Sequence, residues 1–519
     1  MRAFRTLAFL AALAVTGACM ELDVENINDP DAERALAEPS DVEALLGTGF
    51  YRWINGVMKN PAAAWSVQAN EVTSSWGNYG MQNAGTLPRG PYDNSPTAGY
   101  GLVNSTPWGN LYEGLSNVAD GLAAIENGMQ FEDEGGGDTT ERAQVYAKFV
   151  QGVIHGWLAS FYDQAIIFDE EVLPTLEEAV PEPQPYDVVM DRAIEYLEEA
   201  ISMAEAAAPF TLPVDGTPWI HGNPLNNQQL VQWAHSFAAR YLVNEARTPA
   251  DRQAVDWNRV LFHLDRGVTE AVGPNGEQSP VLWWHRPTER PTGWVRAAYD
   301  LVGPADTSGN YQDWLATDPL MRSSFHIHTA DRRITGPDGP ESRGKYVRFV
   351  SLANVFPTDR GQYFQSAYYV DRFHRSQYPE VWAYLQPLFL PLQQEHMRAE
   401  AYLRLGQNRE AAIDIINIGR VENGELPPLP YNVSDAELWR VFAYEKAIEQ
   451  AVSMASQNWF DRRGFGTMIC GTNLHYPIPG AELEVMLMPN YTFGGTGEGT
   501  SDPGVGCRSA QEDALNVVR

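Results

Sequence analysis

The feature that most constrains the fold is a stretch near the C-terminus, residues 434–483, in which an amphipathic helix is followed by a rigid Pro-Ile-Pro turn. Ser434 predicts the helix N-cap, and Glu437 three positions later completes a capping box. Apolar side chains then recur every three or four residues, at Val441, Tyr444, Ile448, Ala451, Ala455 and Trp459. This spacing is the 3.6-residue period of a helix. One side of this helix is therefore expected to be buried.

The polar residues of the same stretch carry a resemblance to a known family. They are Glu445, Lys446, Glu449, Trp459, Asp461, Arg463 and Pro477-Ile478-Pro479. In this order they resemble the C-terminal signature of the SusD/RagB family, which consists of nutrient-binding lipoproteins that sit on outer-membrane TonB-dependent transporters. The chain departs from that pattern at Ala455 and Ser456, where the family often has Glu-Gly before the aromatic residue. The resemblance implies a tetratricopeptide-like scaffold and a protein that binds its cargo without cleaving bonds.

The charges of this stretch also have a purely structural interpretation. Glu445 and Glu449 lie one helical turn apart, near arginines at a helix C-terminus, and such groups most simply form ion pairs and compensate the helix dipole. The alternative is a direct role in ligand binding or catalysis. We expect the structural role, with these residues fixing the last helix to the rest of the fold.

Amphipathic helices with short links are expected over much of the remaining chain. The periodicity predicts them at 40–58 with Ser40 as cap, 107–127, 140–168, 186–206, 226–247 and from Asp256-Trp257 through Val268. In the second of the longer helices Gly152, Gly156 and Ser160 form a ridge of small residues, which predicts the close approach of another helix.

Residues 397–420 have the spacing of a tetratricopeptide repeat, with Ala401, Tyr402, Gly406, Ala411 and Ile415 at the expected offsets. Together with the resemblance, this spacing indicates a mainly α fold: a tetratricopeptide-like helical superhelix with large irregular aromatic-rich insertions, as in SusD-like proteins. A single domain is expected over 19–519. Its helical frame would occupy about 40–270 and 380–460, its insertions about 76–108 and 273–390, and a turn-rich segment 464–519.

The N-terminus predicts export. Residues 1–18 combine Arg2 and Arg5 with an apolar run too short to cross a bilayer, which is typical of a signal peptide. Thr16-Gly17-Ala18-Cys19 is similar to a lipobox, although bacterial lipoboxes usually have Leu at the first position, and it makes Cys19 the expected lipidation site. A plain signal peptide cut nearby is the alternative.

The location follows from this anchor. No later stretch of the sequence is long and apolar enough to span a membrane, so acyl chains on Cys19 would provide the attachment. The acidic start of the mature chain, residues 20–25, is similar to the surface-export signals of related lipoproteins. We expect a lipid-anchored protein of the outer membrane that faces the exterior.

Composition argues against nucleic acid as a partner and leaves the pairing of two cysteines to be decided. The net charge is −31, from 36 basic and 67 acidic side chains, and it repels a phosphate backbone. Nucleic acid is therefore not an expected partner. Besides Cys19 the chain has only Cys470 and Cys507, which in an oxidising compartment favour a disulfide over two free thiols.

Aromatic residues are frequent in the irregular segments, where flat rings can stack on sugars and neighbouring amides can bond hydroxyl groups. In SusD-like proteins the glycan site is built by loops at comparable places. The resulting candidates for a shallow ligand surface are Trp76, Asn78, Tyr79, Trp283, Trp284, Tyr311 and Trp314. No motif fixes these positions individually, and packing inside the protein is the alternative for each of them.

Motifs for catalysis or cofactors are not recognisable. His326 and His328 have strand-like spacing but no third metal ligand beside them, so no metal site is expected. The sequence has no GxSxG, P-loop, HExxH or suitably placed GxGxxG motif, and no cofactor is expected. A glycosidase needs two positioned carboxylates, which a chain with 67 acidic residues cannot reveal by sequence. No catalytic residue is assigned.

The leading hypothesis is therefore a surface lipoprotein that binds an oligosaccharide, a peptide or another nutrient and delivers it to a TonB-dependent, SusC-like transporter. Two alternatives remain. One is a helical-repeat scaffold that binds a protein partner and has no small-molecule ligand. The other is a secreted glycoside hydrolase.

Overall fold

The computed structural model describes residues 38–517 apart from 59–60, 134, 176–180, 215–218, 221–222, 275–294, 354–359, 361–362, 373–386 and 454–455. Over these residues the fold is mainly α, as the sequence predicts, and it also contains strands of two or three residues. Cys19, the expected lipidation site, lies outside the described residues.

The N-terminal part consists mainly of helices, with short strands and irregular segments between them. Its helices are α1 (Pro39–Gly47), α2 (Gly49–Val57), α3 (Pro61–Gln68), α4 (Met81–Gly85), α5 (Leu102–Glu126), α6 (Thr140–Phe161), α7 (Tyr186–Ala206), α8 (Asn227–Asn244), α9 (Pro249–Ala254) and α10 (Trp257–Leu264). Its strands are β1 (Val72–Thr73), β2 (Gln164–Ala165) and β3 (Gln184–Pro185).

The C-terminal part has longer irregular segments between its elements. It contains β4 (Arg296–Ala297), α11 (Tyr299–Val302), α12 (Asn310–Ala316), β5 (Val347–Phe349), β6 (Tyr368–Val370), α13 (Pro391–Leu405), α14 (Arg409–Asn417), α15 (Asp435–Glu449), α16 (Gln457–Gly464) and α17 (Gly480–Val485).

Consecutive helices pack side by side. Helix α5 contacts α6, α6 contacts α7, α7 contacts α8, α8 contacts α10, α10 contacts α13, and α13 contacts α14. Gly406, with φ +65°, ends α13 in the left-handed conformation and lets α14 turn back against it. This serial pairing has the arrangement expected of a tetratricopeptide-like stack.

The ridge of small residues on α6 does bring two helices close. A methyl group added at Gly152 would lie 2.6 Å from Leu197 Cγ on α7, and one added at Gly156 would overlap the ring of Tyr241 on α8. The Tyr241 hydroxyl donates to the Val153 carbonyl at 2.6 Å, which fixes that ring in the crossing. The prediction from the spacing is confirmed.

Several predicted helix boundaries are wrong by a few residues. Ser40 lies inside α1, because Pro39 takes the first helical position, for which its fixed φ is suited, and Glu38 is the cap. The segment 40–58 divides at Thr48, whose hydroxyl donates to the Leu45 carbonyl. Helix α5 begins at Leu102, inside the expected irregular segment, and contains Pro107. The helix predicted over 186–206 is α7 and is correct.

The irregular segment 273–390 contains small strands that the sequence does not predict. Strand β1 pairs with β4, with Val72 opposite Ala297 and Thr73 opposite Arg296. Strand β5 pairs with β6, with Val347 opposite Val370. Strands of two or three residues are too short to show the alternation of polar and apolar residues by which a strand is recognised.

The turn-rich tail is held by a covalent bond. Cys470 and Cys507 form a disulfide with their Cα atoms 5.0 Å apart. Among the described helices, none combines the length and the apolar composition that crossing a bilayer requires.

Candidate functional site

Two of the predicted ligand contacts lie in the protein core. Tyr311 is fully buried and Trp314 is 5% exposed. Trp314 lies under the guanidinium of Arg322, 3.8 Å from the ring centroid, and is 5.0 Å from the ring of Tyr299. Neither ring can form part of a shallow surface. Both rings lie on the buried face of the short helix α12, whose other face, with Gln312 and Asp313, is exposed. Aromatic composition alone does not separate such a face from a binding loop.

The remaining predicted residues follow strand β1 or lie outside the described residues. Trp76 and Tyr79 are half-buried beside the core, and the Trp76 carbonyl accepts from the Gln82 N–H at 3.0 Å. Asn78 and Tyr79 belong to a single turn in which Tyr79 has φ +58°. A non-glycine residue in this left-handed region stores strain, which is common at binding sites. Trp283 and Trp284 lie outside the described residues.

A cleft opens directly after this turn. Its walls come from the segment 80–103 and from residues 471–472, its floor comes from α3 together with Asn473 and Tyr476, and its volume is about 90 Å³. Asn83 and Asp93 are exposed at the mouth, while Tyr92 and Tyr100 are half-buried along the wall. For comparison, an engineered cavity of about 150 Å³ holds one benzene molecule. The cleft thus has room for one small group of a larger ligand.

The floor of the cleft is a rigid set of polar and aromatic groups. The Tyr476 hydroxyl donates to Gln68 Oε1 at 2.8 Å, and Gln68 Nε2 donates to Asn473 Oδ1. The Tyr476 ring stacks on Phe161 at 4.5 Å, nearly parallel, and meets the edge of Tyr92 at 5.1 Å. Because each group is held by a neighbour, the floor is organised before any ligand arrives.

Arg89 forms one side of the cleft and is buried. Its guanidinium donates to Asn70 Oδ1 at 2.8 Å and to the Ala84 carbonyl. Asn70 in turn donates to Asp300, which pairs with Arg508. Burial lowers the pKa of Arg89 to about 10, so the side chain stays protonated at neutral pH.

The opposite wall is tied to the C-terminal tail. Gly471, next to the disulfide at Cys470, has φ +89°, and its N–H donates to the Ser501 carbonyl at 2.8 Å. The Tyr92 N–H donates to the Phe493 carbonyl at 2.9 Å, which joins the first wall to the same tail. The disulfide therefore lies where it stabilises the shape of the cleft.

The lining combines one cation, Arg89, and one carboxylate, Asp93, with uncharged polar and aromatic groups, and it favours binding a polar group. Aromatic rings stand beside amides and hydroxyls that can donate and accept, a combination that suits sugars and peptides. Within the described residues that line the cleft, Asp93 is the one carboxylate. Hydrolysis of a glycosidic bond by the usual route needs two facing carboxylates.

Sequence reasoning missed most of this lining. The segment 76–108, which the sequence predicts to be an irregular insertion, supplies Asn83, Tyr92 and Tyr100, but no sequence motif marks these residues individually. Gln68 and Tyr476 come from opposite ends of the chain, and no sequence signal connects them.

The charged residues of the C-terminal stretch form two buried networks. Arg333 donates to Asp331, Glu445 and Glu449, at 2.7 Å to Asp331 and 3.0 Å to Glu449. In the second network Lys446 bonds Glu400 at 2.9 Å and Asp461 at 2.8 Å, and Arg252 bonds the same two carboxylates, each at 2.8 Å.

These networks join α15 and α16 to the helical frame and the segment around Arg333. Burial by itself would raise the pKa of Glu400, but Arg252 and Lys446 outweigh it and hold that pKa well below its usual range. The observed contacts therefore agree with the structural role expected for these charges, in which ion pairs fix the last helices to the rest of the fold.

The Pro-Ile-Pro turn is fixed to the segment that forms the cleft. Asn94 donates to the Ile478 carbonyl at 2.9 Å, and Asn104 donates to the Pro477 carbonyl at 3.1 Å. The Gly480 N–H donates back to Asn94 Oδ1 at 3.2 Å. The motif that marks the resemblance thus supports the aromatic insertion.

Within the described residues, His326 and His328 have no third metal ligand beside them. His326 Nε2 lies 2.9 Å from Glu341 Oε1, and His328 is exposed. In the part of the chain that the structure describes, no three His, Cys, Asp or Glu side chains are grouped so as to hold a metal ion.

Comparison with solved structures identifies the fold. A SusD superfamily protein from Bacteroides fragilis matches with a TM-score of 0.54 and 12% identity over 86% of this chain and 98% of its own. One from Bacteroides vulgatus gives 0.52 and 14% identity over 83% and 89%. One from Bacteroides thetaiotaomicron gives 0.51 and 11% identity over 82% and 90%.

Comparison by sequence finds no relative, since no protein-family model and no curated protein matches the chain. The structural likeness nevertheless covers most of the chain, and it establishes that the protein has the fold of the SusD superfamily.

Proposed function

We propose that this protein is an outer-membrane surface lipoprotein that binds an oligosaccharide or another nutrient and delivers it to a TonB-dependent, SusC-like transporter. The observation that carries the proposal is the SusD fold, shared over more than four fifths of the chain with proteins of that superfamily. The lipobox-like Thr16-Gly17-Ala18-Cys19 and the acidic residues after it support the anchor and the location.

The cleft supports a binding role. Its floor presents Tyr476, Gln68 and Asn473 in fixed positions, and Tyr92 and Tyr100 offer ring faces near the mouth. A cleft of about 90 Å³ accommodates one sugar unit or one side chain in part, and the rest of the ligand would extend along the rim past Asn83 and Trp76. The affinity would then come from several shallow contacts.

Calorimetry with panels of neutral oligosaccharides and peptides tests the cleft. Tyr92→Ala removes a ring that lines it, and we expect an affinity loss of about tenfold, in line with the energy of a stacked aromatic contact. Tyr431→Ala is the matched control, because Tyr431 is an exposed tyrosine that does not line the cleft. Saturable peptide binding with no response to glycans would exclude the sugar and keep the nutrient role.

The scaffold hypothesis is favoured by one observation, the burial of Tyr311 and Trp314, since a protein-binding scaffold predicts buried insertions. It also predicts no pocket in the insertions, whereas the segment 80–103 forms a cleft. A purified complex that contains a protein partner, with no ligand binding in either panel, would support the scaffold.

Binding without bond cleavage is part of the proposal. Turnover of a polysaccharide that is lost when a single carboxylate such as Asp93 is changed to Asn would contradict it and support the hydrolase instead.

A further inference from the structure

The tail that follows α17 joins the two walls of the candidate cleft. Beyond α17 the described residues contain no further helix or strand. Residues 490–501, which we call the strap, are bonded on one side to the wall segment 91–94 and on the other side to the wall residues 471–472. Cys507, which forms the disulfide with Cys470, lies shortly after the strap.

The first wall is bonded to the start of the strap. The Tyr92 N–H donates to the Phe493 carbonyl at 2.9 Å. Asn94 Nδ2 donates to Asn490 Oδ1 and to the Tyr491 carbonyl, each at 3.0 Å. Because both ends of this short wall segment are bonded to the strap, its position depends on where the strap lies.

The second wall is bonded to the end of the strap by main-chain hydrogen bonds. The Gly471 N–H donates to the Ser501 carbonyl, and the Ser501 N–H donates to the Thr472 carbonyl, each at 2.8 Å. The Gly495 N–H donates to the Gly471 carbonyl, also at 2.8 Å. The strap therefore connects the walls, and the width of the cleft depends on its staying in place.

Hydrogen bonds hold the strap, and the hydrophobic core does not. Between Leu483 and Ala514, an interval that the structure describes completely, no apolar side chain is buried. The preceding part of the tail is different, because Tyr476, Ile478 and Leu483 are at most 2% exposed. Segments with few buried apolar contacts open locally at a lower free-energy cost than the core does. The strap is thus expected to open before the residues on which it lies.

Arg508 and the disulfide together fasten the chain beyond the strap. The Arg508 N–H donates to the Met468 carbonyl, its carbonyl accepts from the Cys470 N–H, and its Nε donates to the Thr467 carbonyl, each at 2.9 Å. Such hydrogen bonds break and re-form in local openings, whereas a covalent bond persists. The link from Cys470 to Cys507 also restricts the conformations of a detached strap, which disfavours detachment.

The disulfide lies near solvent, where a thiol reagent can reach it. Cys470 and Cys507 are both half-buried, and residues 502–505 before Cys507 are exposed. In the reduction, one thiolate of a dithiol attacks a sulfur of the disulfide and forms a mixed disulfide, which the second thiolate of the reagent then resolves. The dithiol loses two electrons and two protons and becomes a disulfide, and the two cysteines gain them as thiols.

We propose that the Cys470–Cys507 disulfide is a redox-sensitive latch for the strap. Reduction by a dithiol leaves the strap held by hydrogen bonds alone, so it detaches from both walls more often and the cleft binds its ligand more weakly. The helical frame, which has its own buried core, stays folded. The opening of the strap is independent of the proposed function, and the loss of affinity rests on it.

Hydrogen exchange of the mature protein, followed by mass spectrometry with and without dithiothreitol, tests the opening. After reduction we expect the amides of Tyr92, Gly471 and Ser501 to exchange at least about tenfold faster, because the detached strap is no longer restrained by the cross-link. The amides of α6 and α8 should exchange at the same rate in both forms. They report on the helical frame.

The double variant Cys470→Ser with Cys507→Ser is the control for the reagent. It should show the fast exchange without dithiothreitol and should not respond to it, while its circular dichroism matches that of the wild-type protein. In calorimetry, the oligosaccharide or peptide of the panels that binds the oxidised protein should bind the reduced protein and this variant about tenfold more weakly.

The latch is overturned if exchange at the strap and the walls is the same in both forms, if α6 and α8 exchange faster by the same factor, or if both forms bind the probe equally. Each of these results leaves the proposed function standing as long as a probe binds. If no probe binds either form, the proposed function fails, and the claim about affinity fails with it.

Discussion

Arg252 shows how this strongly acidic chain keeps a charge in its core. The side chain is fully buried and donates to Glu400 and to Asp461, each at 2.8 Å. Lys446 bonds the same two carboxylates. A buried charge is tolerated when ion pairs and hydrogen bonds satisfy it, and losing one partner leaves the others uncompensated.

Removing this arginine should therefore be costly. We expect Arg252→Ala to lower the free energy of unfolding by about 3–5 kcal/mol in urea denaturation. Arg259→Ala is the control, because Arg259 pairs with Glu198 at the surface, where both side chains are more than a third exposed, and it should cost no more than about 1 kcal/mol. Similar losses for the two variants would contradict the structural role given to the buried network.

The buried side chain of His396 should make the stability of the folded protein sensitive to acid. It is fully buried, and neither ring nitrogen has a hydrogen-bond partner among the described residues. Burial lowers its pKa from 6.5 to about 3. As the pH falls, His396 is therefore protonated in the unfolded chain before it is protonated in the folded protein. The contribution of the neutral, buried His396 to the free energy of unfolding is complete above pH 6.5 and is lost as the pH falls from 6.5 towards 3.

Replacing this histidine by an apolar residue of similar size should remove its share of the acid sensitivity. Between pH 7 and pH 4.5, we expect His396→Leu to lose roughly 2 to 3 kcal/mol less stability than the wild-type protein. Urea denaturation at the two pH values measures the difference. His328→Leu, at an exposed position, is the control for the substitution itself. An unchanged pH dependence in His396→Leu would contradict the account.

At the scale of elements, the crossing of α6 and α8 depends on a missing side chain. A methyl group at Gly156 would overlap the Tyr241 ring, which cannot move away easily because its hydroxyl is bonded to Val153. We expect Gly156→Ala to destabilise the protein by about 1–3 kcal/mol in thermal or urea unfolding.

Gly109 is a helical glycine at which an added side chain meets no neighbour, in contrast to Gly156. It lies in α5 with nothing within 4 Å of an added methyl group. Gly109→Ala should stabilise the protein by about 0.5–1 kcal/mol, since alanine restricts the unfolded chain. Gly109→Ala is thus the control for Gly156→Ala. If both substitutions destabilised the protein equally, the loss at Gly156 could not be attributed to the close contact between α6 and α8.

The same elements show what the sequence can predict. Helix α7 and the small-residue crossing on α6 follow from periodicity, because each is a local pattern over several turns. The aromatic residues of α12 do not follow in this way. Composition cannot distinguish a ring on a binding surface from a ring such as Trp314 that is packed under Arg322.

The cleft could be predicted only in part for a related reason. The composition of 76–108 predicts an irregular, aromatic-rich insertion, and that segment supplies one wall. The floor pairs Gln68 with Asn473 and Tyr476, which are brought together by tertiary folding alone. Contacts over such sequence distances leave no periodic trace in a single chain.

At the scale of the whole molecule, the architecture separates support from binding. The helical frame and its buried charge networks hold α15, α16 and the Pro-Ile-Pro turn. That turn is bonded to Asn94 and Asn104 of the insertion, whose other side forms the cleft. The residues that carry the resemblance therefore support the candidate site through the insertion and through Trp459, whose ring lies 6.1 Å from that of Tyr476.

The central claim is that this protein works on a TonB-dependent transporter at the cell surface. The most direct measurement is detergent extraction of membranes from the native cells, affinity capture of this protein through a tag, and identification of the proteins that come with it. We expect a TonB-dependent transporter in near-equal amount, and its loss when Cys19→Ser removes the thiol that we propose as the site of the lipid anchor. Capture of the wild-type protein from the membrane fraction without such a transporter would contradict the account.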